Sequence, residues 1–391
     1  MEYKIPTKCL YGNGEKLSVD SSGALSFPIY QSATFAHSEP GESTGYDYSR
    51  MQNPTREQLE HVVASLENGT EALAFSSGMA AIAAVMDLFQ PGDHIITDSD
   101  LYGGSFRLFQ NISRKNGVLF DHVDLQREKI ENFITKHTKA IFVETPTNPT
   151  MHIIDIQNLA RKAGKKGILL IVDNTFFTPY LQNPLDLGAD IVVHSGTKYL
   201  GGHNDTVAGF AITSSEEIGE KLRFISKTTG AGLAPFDSWL ILRGIKTLPL
   251  RMERSAQNTR KIVEWLKQEE TVTRIYYPGM EGSAGYEICK RQARGFGSMI
   301  SFEVKSKRQA LEILKRVRLI HFAESLGGVE TLITYPVTQT HADVAPEILA
   351  KNGITDRMLR LSVGIEDIQD LLTELERVFR ESAELQGEWV I

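Results

Sequence analysis

Short β-rich runs alternate with helical patterns through the middle of the chain, and this alternation constrains the fold more than any other feature. The runs predicted as strands are residues 72–75, 94–97, 118–123, 140–144, 168–172, 191–193 and 207–213. The helical patterns between them are residues 79–89, residues 105–115 and a charged stretch after residue 123. Strands joined through helices form crossover units, so the pattern predicts an α/β fold with a mostly parallel, helix-covered sheet of seven strands.

The rest of the chain predicts two further units. A helical pattern over residues 236–269 leads out of the sheet region. The elements predicted beyond it are strands at 299–304 and 359–363 and helices at 310–317 and 368–379, which indicate a smaller α+β unit. The first sixty residues show few regular signals, and chain ends of this kind are ordered only when something holds them. We therefore predict a segment that contacts a neighbouring subunit (1–60), a large domain (61–250) and a small C-terminal domain (251–391).

Composition excludes several classes of protein. The chain has 42 basic and 49 acidic residues, a net charge of −7, and so lacks the basic footprint that nucleic-acid binding requires. Cys9 and Cys289 lie far apart in sequence and indicate reduced thiols, not a disulfide framework. No apolar run approaches the roughly 20 residues of a membrane-spanning helix, and the N-terminus lacks a secretory signal. We therefore expect a soluble, cytoplasmic protein.

Three polar clusters follow predicted strands directly. They are residues 76–79 (SSGM), 173–175 (DNT) and 194–198 (HSGTK). Ligands of open parallel sheets bind at the carboxyl ends of the strands, so we expect these clusters to share one site. The first cluster begins a helix, whose free N–H groups and positive dipole end attract an anion. Its simpler interpretation is an ordinary helix N-cap.

The other two clusters add an acid and an amine to this anion site. Asp173 ends a strongly apolar strand, so its carboxylate is expected to be partly buried and to require a cationic partner. Lys198 follows two hydroxyls that can donate to a phosphate, and burial would lower the pKa of its amine and make it nucleophilic. The simpler interpretations are a helix cap and a solvated surface amine. A phosphate cradle, a carboxylate for a protonated ring nitrogen and a Schiff-base amine together predict pyridoxal 5′-phosphate (PLP).

Other cofactor and metal sites lack their sequence signatures. The chain contains no GxGxxG after a strand, no GxxxxGKS/T and no HExxH, so neither a dinucleotide fold, a P-loop nor a zinc protease is indicated. His94, His122 and His137 are scattered, and we interpret them as surface or core residues, not as ligands. We therefore predict no metal site.

The segment HSGTKYLGGHND, residues 194–205, resembles the lysine signature of the PLP-dependent enzymes of cysteine and methionine metabolism, the transsulfuration family. The resemblance spans nearly the whole chain and includes YDYSRMQNPTR, SSGMAAI, DLYGGSFRLF, VETPTNP, IVDNTF, AESLGGVETL and LRLSVGIED. It implies the fold-type I architecture, with PLP bound by the large domain. It also implies a homotetramer, a dimer of tight dimers whose active sites are shared. Asn204 and the Met51–Gln52 pair depart from the family pattern, with no consequence that we can assign.

The resemblance implies roles for individual residues. Lys198 is implied as the Schiff-base lysine and proton shuttle, Asp173 as the partner of the pyridine nitrogen, and Tyr102 as the catalytic ring that stacks on the cofactor. Further implied cofactor contacts are Ser77, Gly78, Met79, Asn148, Thr175, Ser195 and Thr197, with Tyr48 and Arg50 from the neighbouring subunit. Arg360, aided by Ser325, is implied to bind the substrate α-carboxylate through a bidentate pair. In the alternative, Arg360 and the two neighbouring-subunit residues simply face solvent.

Residues expected at the distal end of the substrate indicate the reaction. Glu324 resembles the glutamate of cystathionine γ-synthases and γ-lyases, Asp47 of the partner chain is a second candidate for the distal ammonium, and Arg107 is one for the distal carboxylate. The alternative for these charges is a plain solvated surface. We expect γ-elimination or γ-replacement on cystathionine-type substrates, with β-cleavage of cystathionine as the main alternative.

Four other functions stay open at this point. Methionine γ-lyase and O-acetylhomoserine sulfhydrylase activities occur in the same family. Methionine γ-lyases typically have a cysteine in the loop after the stacking tyrosine, and this chain has GGS at residues 103–105, which counts against that activity. A fold-type I aminotransferase and a catalytically silent PLP-binding protein are the alternatives from other classes. The intact set of Lys198, Asp173, Tyr102 and Arg360 argues against the silent protein.

Overall fold

Two β-sheets organise the protein, and the computed structural model describes them within residues 3–14, 22–342 and 344–387. Among these residues the large sheet has seven strands: β1 (Glu71–Phe75), β2 (His94–Asp98), β3 (Leu119–Val123), β4 (Thr138–Glu144), β5 (Leu169–Asp173), β6 (Ile191–Ser195) and β7 (Gly209–Thr213). The small sheet has five: β8 (Val272–Tyr276), β9 (Met299–Val304), β10 (His321–Phe322), β11 (Leu332–Thr334) and β12 (Met358–Ser362). The large sheet is therefore built entirely from residues that precede those of the small sheet.

The large sheet is parallel except for one strand. Its order is β1-β7-β6-β5-β4-β2-β3, and β7 runs antiparallel to both of its neighbours. The carboxyl ends of β1, β4, β5 and β6 therefore lie at the same edge of the sheet. The predicted α/β fold with a mostly parallel, seven-stranded sheet is confirmed.

Helices cover both sheets. In the described part of the chain they are α1 (Ile5–Tyr11), α2 (Pro54–Glu67), α3 (Gly78–Met86), α4 (Gly103–Leu108), α5 (Ile156–Gly164), α6 (Thr178–Leu181), α7 (Glu216–Thr229), α8 (Pro235–Ile245), α9 (Leu248–Leu266), α10 (Tyr286–Gln292), α11 (Lys307–Arg316), α12 (Pro346–Lys351) and α13 (Ile368–Gly387). None of these helices combines the length and the apolar character needed to cross a lipid bilayer.

Alternate residues of the large sheet pack into separate cores on its two faces, as the two-residue period of a strand requires. Val172 and Val192 belong to the cluster that contains Leu59 of α2. Their chain neighbours Ile171 and Val193 belong to the cluster formed with α3 and α7. Burial on both faces explains why the run at residues 168–172 is continuously apolar.

The small sheet has its own apolar core. It is antiparallel apart from the β10–β11 pair. Phe302 and Leu361 from the sheet pack with Ile262 of α9, Ile313 of α11 and Leu371 of α13. Residues 60 and 250, the predicted domain boundaries, lie inside α2 and α9. The division into three units and the subunit contact of residues 1–60 stay predictions.

Three sequence-based expectations about helices need correction. The charged helix expected after residue 123 is wrong, because Asp124 accepts hydrogen bonds from the backbone N–H groups of Gln126 and Arg127 and forms a turn instead. The helix expected over 105–115 begins at α4 and continues as a π-helical turn, Phe109–Ser113. The long pattern over 236–269 is divided into α8 and α9, with Pro249 in the first turn of α9.

Asn53 fastens the irregular N-terminal segment to α2. Its side-chain oxygen accepts from the N–H groups of Thr55 at 3.0 Å and Arg56 at 3.4 Å, which makes it the N-cap of the helix. Its amide nitrogen donates to the carbonyl of Tyr30 at 2.9 Å and to Ser49 Oγ at 2.9 Å. The side chain is completely buried. Asn53 therefore provides hydrogen-bond partners both for the first N–H groups of α2 and for the N-terminal segment that passes over this helix.

We expect Asn53→Ala to lower the free energy of unfolding by about 2 kcal/mol, because it removes a cap and leaves buried backbone groups without partners. Ser306→Ala is the matched control, since Ser306 caps α11 by accepting from Gln309 N–H at 3.1 Å. Losing that cap alone costs about 1 kcal/mol. Denaturant midpoints measure both values, and equal losses in the two variants would contradict the double role of Asn53.

Candidate active site

A cavity of about 580 Å³ opens at the carboxyl edge of the large sheet, where this edge meets the small sheet. The predicted site residues that line it are Ser77, Gly78, Met79, Tyr102, Arg107, Asn148, Asp173, Thr175, Ser195, Thr197, Lys198, Glu324, Ser325 and Arg360. The structure thus brings fourteen of the predicted residues to one cavity. It does not bring Asp47, Tyr48 or Arg50 there.

Lys198 lies just beyond the end of β6, with its amine inside the cavity. Its Nζ donates to Ser325 Oγ at 2.8 Å. Burial, with a smaller contribution from the nearby Arg360 charge, lowers the pKa of Lys198 to about 8, and Glu324 opposes this shift. The amine is therefore a better nucleophile near neutral pH than the fully protonated amine of a solvated lysine.

Asp173 ends β5, and its carboxyl group is held by the residue two places further along the chain. Both the N–H and the hydroxyl of Thr175 donate to Asp173 Oδ1, at 3.0 Å and 2.6 Å. The Thr175 hydroxyl also accepts from Ser195 N–H at 2.9 Å, which connects β5 to β6. Burial raises the pKa of Asp173, and the two bonds from Thr175 partly offset this rise. A cationic partner would stabilise the ionised form further.

The loop between β1 and α3 forms a cradle for an anion. Ser77 is the N-cap of α3 and accepts from Ala80 N–H at 3.0 Å, so the simpler interpretation of this cluster is also correct. The N–H groups of Gly78 and Met79 lie in the first turn of the helix, where no intrahelical acceptor exists. A Cβ on Gly78 would lie 3.0 Å from Ser195 Cβ, so glycine lets this loop approach the end of β6.

Tyr102 precedes α4 and projects a partly exposed ring into the cavity. Its N–H donates to Glu144 Oε2 at 2.9 Å. A Cβ on Gly104 would lie 2.4 Å from Tyr102 Cε1, so the ring lies against the backbone of the helix that follows. Two contacts therefore restrict the position of Tyr102: the hydrogen bond of its backbone N–H to Glu144 and the packing of its ring against Gly104.

Arg360 lies on β12 and is almost fully buried, at 1% exposure, so the solvent-facing alternative is wrong. Its guanidinium donates to Asn148 Oδ1 at 2.8 Å, to the carbonyl of Ser325 at 3.0 Å and to Thr334 Oγ1 at 3.2 Å. These partners are all neutral, and Arg360 Nε has no hydrogen-bond partner. Burial lowers the pKa of Arg360 to about 10, so the group stays charged at neutral pH. A buried cation of this kind is suited to bind a carboxylate.

Asp47, Tyr48 and Arg50 lie on the N-terminal segment, away from the cavity lining. Asp47 pairs with His37 at 3.2 Å and accepts from Ser43 Oγ at 2.6 Å. Tyr48 is 45% exposed, with the Arg50 guanidinium 5.6 Å from its ring centre. Their predicted role requires a neighbouring subunit and stays a prediction.

Sequence reasoning missed several residues of the cavity. Glu144 ends β4 and pairs in register with Asp173 on β5. Burial and the neighbouring Asp173 carboxyl raise the pKa of Glu144 well above its usual range. Its position at the end of an apolar strand is the same signal that identified Asp173. Gln339 and Thr340 also line the cavity, and they come from a segment after β11 that has no such signal.

Comparison with known proteins identifies the family. A sequence model of the family described as "Cys/Met metabolism PLP-dependent enzyme" matches residues 7–380. The chain belongs to this family. The confirmed predictions are the transsulfuration family, its fold-type I architecture and its PLP cofactor. The protein is a PLP-dependent enzyme of sulfur amino acid metabolism.

Relatives within this PLP-dependent family differ in the reaction that their names describe. Cystathionine gamma-lyase of Bacillus subtilis (strain 168) is 50% identical, covering 94% of this chain and 97% of the relative. Cystathionine beta-lyase of Lactococcus lactis subsp. cremoris (strain MG1363) is 47% identical, covering 95% and 97%. The crystal structure of cystathionine gamma synthase from Xanthomonas oryzae pv. oryzae in complex with aminoacrylate and cysteine has a TM-score of 0.95, at 37% identity, covering 98% of this chain and 100% of that one.

The cavity fits the cofactor of this PLP-dependent family. The glycine-dependent cradle at α3 presents first-turn N–H groups suited to a phosphate. Asp173 offers a buried carboxyl to a protonated ring nitrogen, and Lys198 offers an amine of lowered pKa. The cofactor demands these three groups at once, and the structure places them around one cavity.

The lowered pKa of Lys198 predicts its chemical reactivity in the PLP-free protein. Only the neutral amine reacts with an acylating reagent, so the labelling rate of Lys198 should rise as pH increases and reach its midpoint near pH 8. Ordinary surface lysines reach theirs only above about pH 10. Competitive labelling with mass spectrometry measures the midpoints of Lys198 and of the surface lysines in one sample. Glu324→Gln should shift the Lys198 midpoint downward, and a midpoint above pH 10 in the unmodified protein would contradict the interpretation.

Proposed function

We propose that the protein is a transsulfuration enzyme that acts on cystathionine-type substrates by γ-elimination or γ-replacement. The observation that supports this best is the position of Glu324, directly before Ser325, on the cavity that contains Lys198 and Arg360. A substrate whose α-carboxylate pairs with Arg360 would extend past the Lys198 amine. Its distal ammonium would then find a carboxylate in Glu324. Cystathionine has both charges.

Arg360 is the proposed anchor of the substrate. Its two terminal nitrogens are bonded to neutral groups and its Nε is unpartnered, so a bound carboxylate would supply the missing negative charge. Ser325, whose carbonyl accepts from Arg360 and whose hydroxyl accepts from Lys198, lies between the anchor and the amine. The reacting carbon of the substrate is therefore expected beside Lys198.

Lys198 is proposed to hold PLP covalently and afterwards to move protons. The cofactor, when bound, takes up the electron pair left as the substrate loses its Cα proton. The γ-reactions require a second proton removal, at Cβ, so a base must act again beside the same carbon. Lys198 Nζ and the Tyr102 hydroxyl are the candidates, because both groups line the cavity. Asp173, Asn148, Thr175, Ser195 and Thr197 are proposed to hold the cofactor, together with residues 77–79.

The homotetramer is also part of the proposal. Asp47, Tyr48 and Arg50 lie outside the cavity of their own chain and are partly or well exposed, as expected of residues that reach a neighbouring subunit's site. We further propose a cytoplasmic location. Its support is chemical, since Cys9 and Cys289 are both buried free thiols, which fits a reducing compartment.

β-Cleavage of cystathionine is the second candidate function. It is supported by the 47% identity to a relative named cystathionine beta-lyase. The same anchor, cofactor residues and distal carboxylate would serve it, since β-elimination needs only the first proton removal. The two reactions differ in which carbon–sulfur bond breaks.

The products formed from cystathionine decide between these candidates. A γ-lyase is expected to release cysteine, 2-oxobutyrate and ammonia. Homocysteine, pyruvate and ammonia would instead establish the β-lyase and overturn the γ-assignment. Formation of cystathionine from an O-acylhomoserine and cysteine would indicate γ-replacement. Chromatography of the oxo acids separates the outcomes, and Lys198→Ala, expected to lose turnover and the visible absorbance of bound PLP, is the control.

Glu324→Gln tests the recognition of the distal ammonium. Because Glu324 is solvent-exposed, we expect KM for cystathionine to rise about 3- to 10-fold with kcat little changed. An O-acylhomoserine lacks the distal ammonium, so its KM should stay the same. Glu330→Gln is the matched control, since Glu330 is an exposed glutamate of the same loop that bonds Asn204 and does not line the cavity. Equal changes in KM for both substrates would refute the role of Glu324.

A further inference from the structure

The peptide group between Leu101 and Tyr102 is held at both ends by buried side chains. Its N–H, from Tyr102, donates to Glu144 Oε2 at 2.9 Å, and its carbonyl, from Leu101, accepts from His341 Nε2 at 3.3 Å. We propose that Glu144 and His341 act together as a clamp on this peptide group and so position the Tyr102 ring in the cavity. The proposal rests on the function proposed above for Tyr102, and assigns Glu144 and His341 as positioning residues.

The Tyr102 ring depends on its backbone for orientation. The residue is 38% exposed, so no core encloses the ring. It is the N-cap of α4, a helix of only six residues, and its own side chain makes no capping hydrogen bond. The ring lies against Gly104, where a Cβ would come within 2.4 Å of it. A small rotation of the Leu101–Tyr102 peptide would therefore move the ring relative to Lys198 and Asp173.

The surroundings of His341 favour a ring that donates to the Leu101 carbonyl. It is 3% exposed, and burial lowers the pKa of its ring, so the neutral imidazole is the favoured form. The hydroxyl of Thr340 lies 2.8 Å from Nδ1 and can donate to it, which leaves the ring proton on Nε2. Leu101 accepts at Nε2, and the Asn148 backbone is a second hydrogen-bond partner of the ring. The backbone of His341 is held as well, by a bond from its N–H to the Pro336 carbonyl at 3.0 Å.

The surroundings of Glu144 favour a carboxyl group that accepts from the Tyr102 N–H. It is 5% exposed and lies beside Asp173 in the sheet, and both conditions favour its neutral acid form. Asp100 favours the same form, whereas the Arg360 charge favours the ionised one. A neutral carboxyl group still accepts through its oxygen, so a glutamine amide can replace it in this contact.

The clamp joins the two sheets of the protein through Tyr102. Glu144 ends β4 of the large sheet, whereas His341 belongs to the segment between β11 and β12 of the small sheet. Thr340, the chain neighbour of His341, lines the cavity, and its carbonyl lies where a Cβ on Gly103 would come within 2.3 Å. The position of the Tyr102 ring therefore depends on a contact between the two parts of the chain.

The test compares variants that keep the hydrogen bond with variants that remove it, each with and without the Tyr102 ring. Glu144→Leu and His341→Leu should each weaken PLP binding by the full-length protein about 5- to 10-fold, the equivalent of one lost hydrogen bond, and lower kcat. Glu144→Gln and His341→Gln retain an acceptor and a donor and should stay within about 2-fold. In a Tyr102→Ala background the leucine variants should have no further effect. Equilibrium dialysis measures the PLP affinity of all of them.

His94→Leu is the matched control, because His94 is a buried histidine at the amino end of β2, bonded to Thr138 Oγ1 at 2.8 Å, and away from the cavity. If His341→Leu does not fold, His341→Asn replaces it, since its shorter amide does not reach Leu101. If the leucine variants lose the same PLP affinity with and without the Tyr102 ring, the clamp proposal is wrong, and the proposed role of Tyr102 is unaffected. Unchanged affinity in Tyr102→Ala itself would overturn the role of Tyr102, and the clamp with it.

Discussion

Arg360 places a positive charge in the protein interior next to Lys198, and the electrostatics of the site depend on that charge. Burying an ion is costly unless hydrogen bonds and opposite charges compensate. Asn148, Ser325 and Thr334 provide the hydrogen bonds, all from neutral groups. The remaining imbalance favours an incoming carboxylate. Burial lowers the pKa of Lys198, and the same charge lowers it further, so one residue can both attract a carboxylate and help to activate the amine.

Two carboxyl groups on neighbouring strands are differentiated by their hydrogen bonds. Glu144 and Asp173 pair in register at the ends of β4 and β5, and the Asp173 carboxyl adds to the effect of burial in raising the pKa of Glu144. Asp173 accepts two bonds from Thr175, whereas Glu144 accepts one from the Tyr102 backbone. Asp173 is therefore expected to ionise before Glu144. This difference makes Asp173 the carboxyl group better suited to a cationic ligand and favours Glu144 as a neutral acceptor.

The sequence predicted the parts of the site that follow from the geometry of a parallel sheet. Ser77, Asp173 and Lys198 all follow apolar strands, and the carboxyl ends of such strands meet at one edge. Glu144 gave the same signal at the end of its strand. Arg360 and Ser325 needed the family resemblance, because they reach the cavity through tertiary packing of a second sheet. His341 had no signal at all, since it acts through a backbone group 240 positions away.

The errors in the predicted helices and strands have local causes. Hydrogen bonds to Asp124 stop the charged segment after β3 from forming a helix. β10 and β11 have two and three residues, too few for any periodicity to be visible. The shortness of β10 and β11 therefore explains why neither was predicted, because a strand of two or three residues is stabilised by its neighbours more than by its own residues.

The residues proposed to recognise the distal end of the substrate are under a weaker structural constraint than the buried residues near the proposed cofactor site. Among the residues proposed to hold the cofactor, Asn148 and Thr175 are buried, and Thr175 is hydrogen-bonded to Asp173, so a substitution at either is expected to cost stability as well as activity. Glu324 and Arg107 are exposed, and replacing them costs the fold little. Relatives named for β-cleavage and for γ-chemistry resemble this chain almost equally, at 47% and 50% identity, so overall similarity does not separate the two reactions.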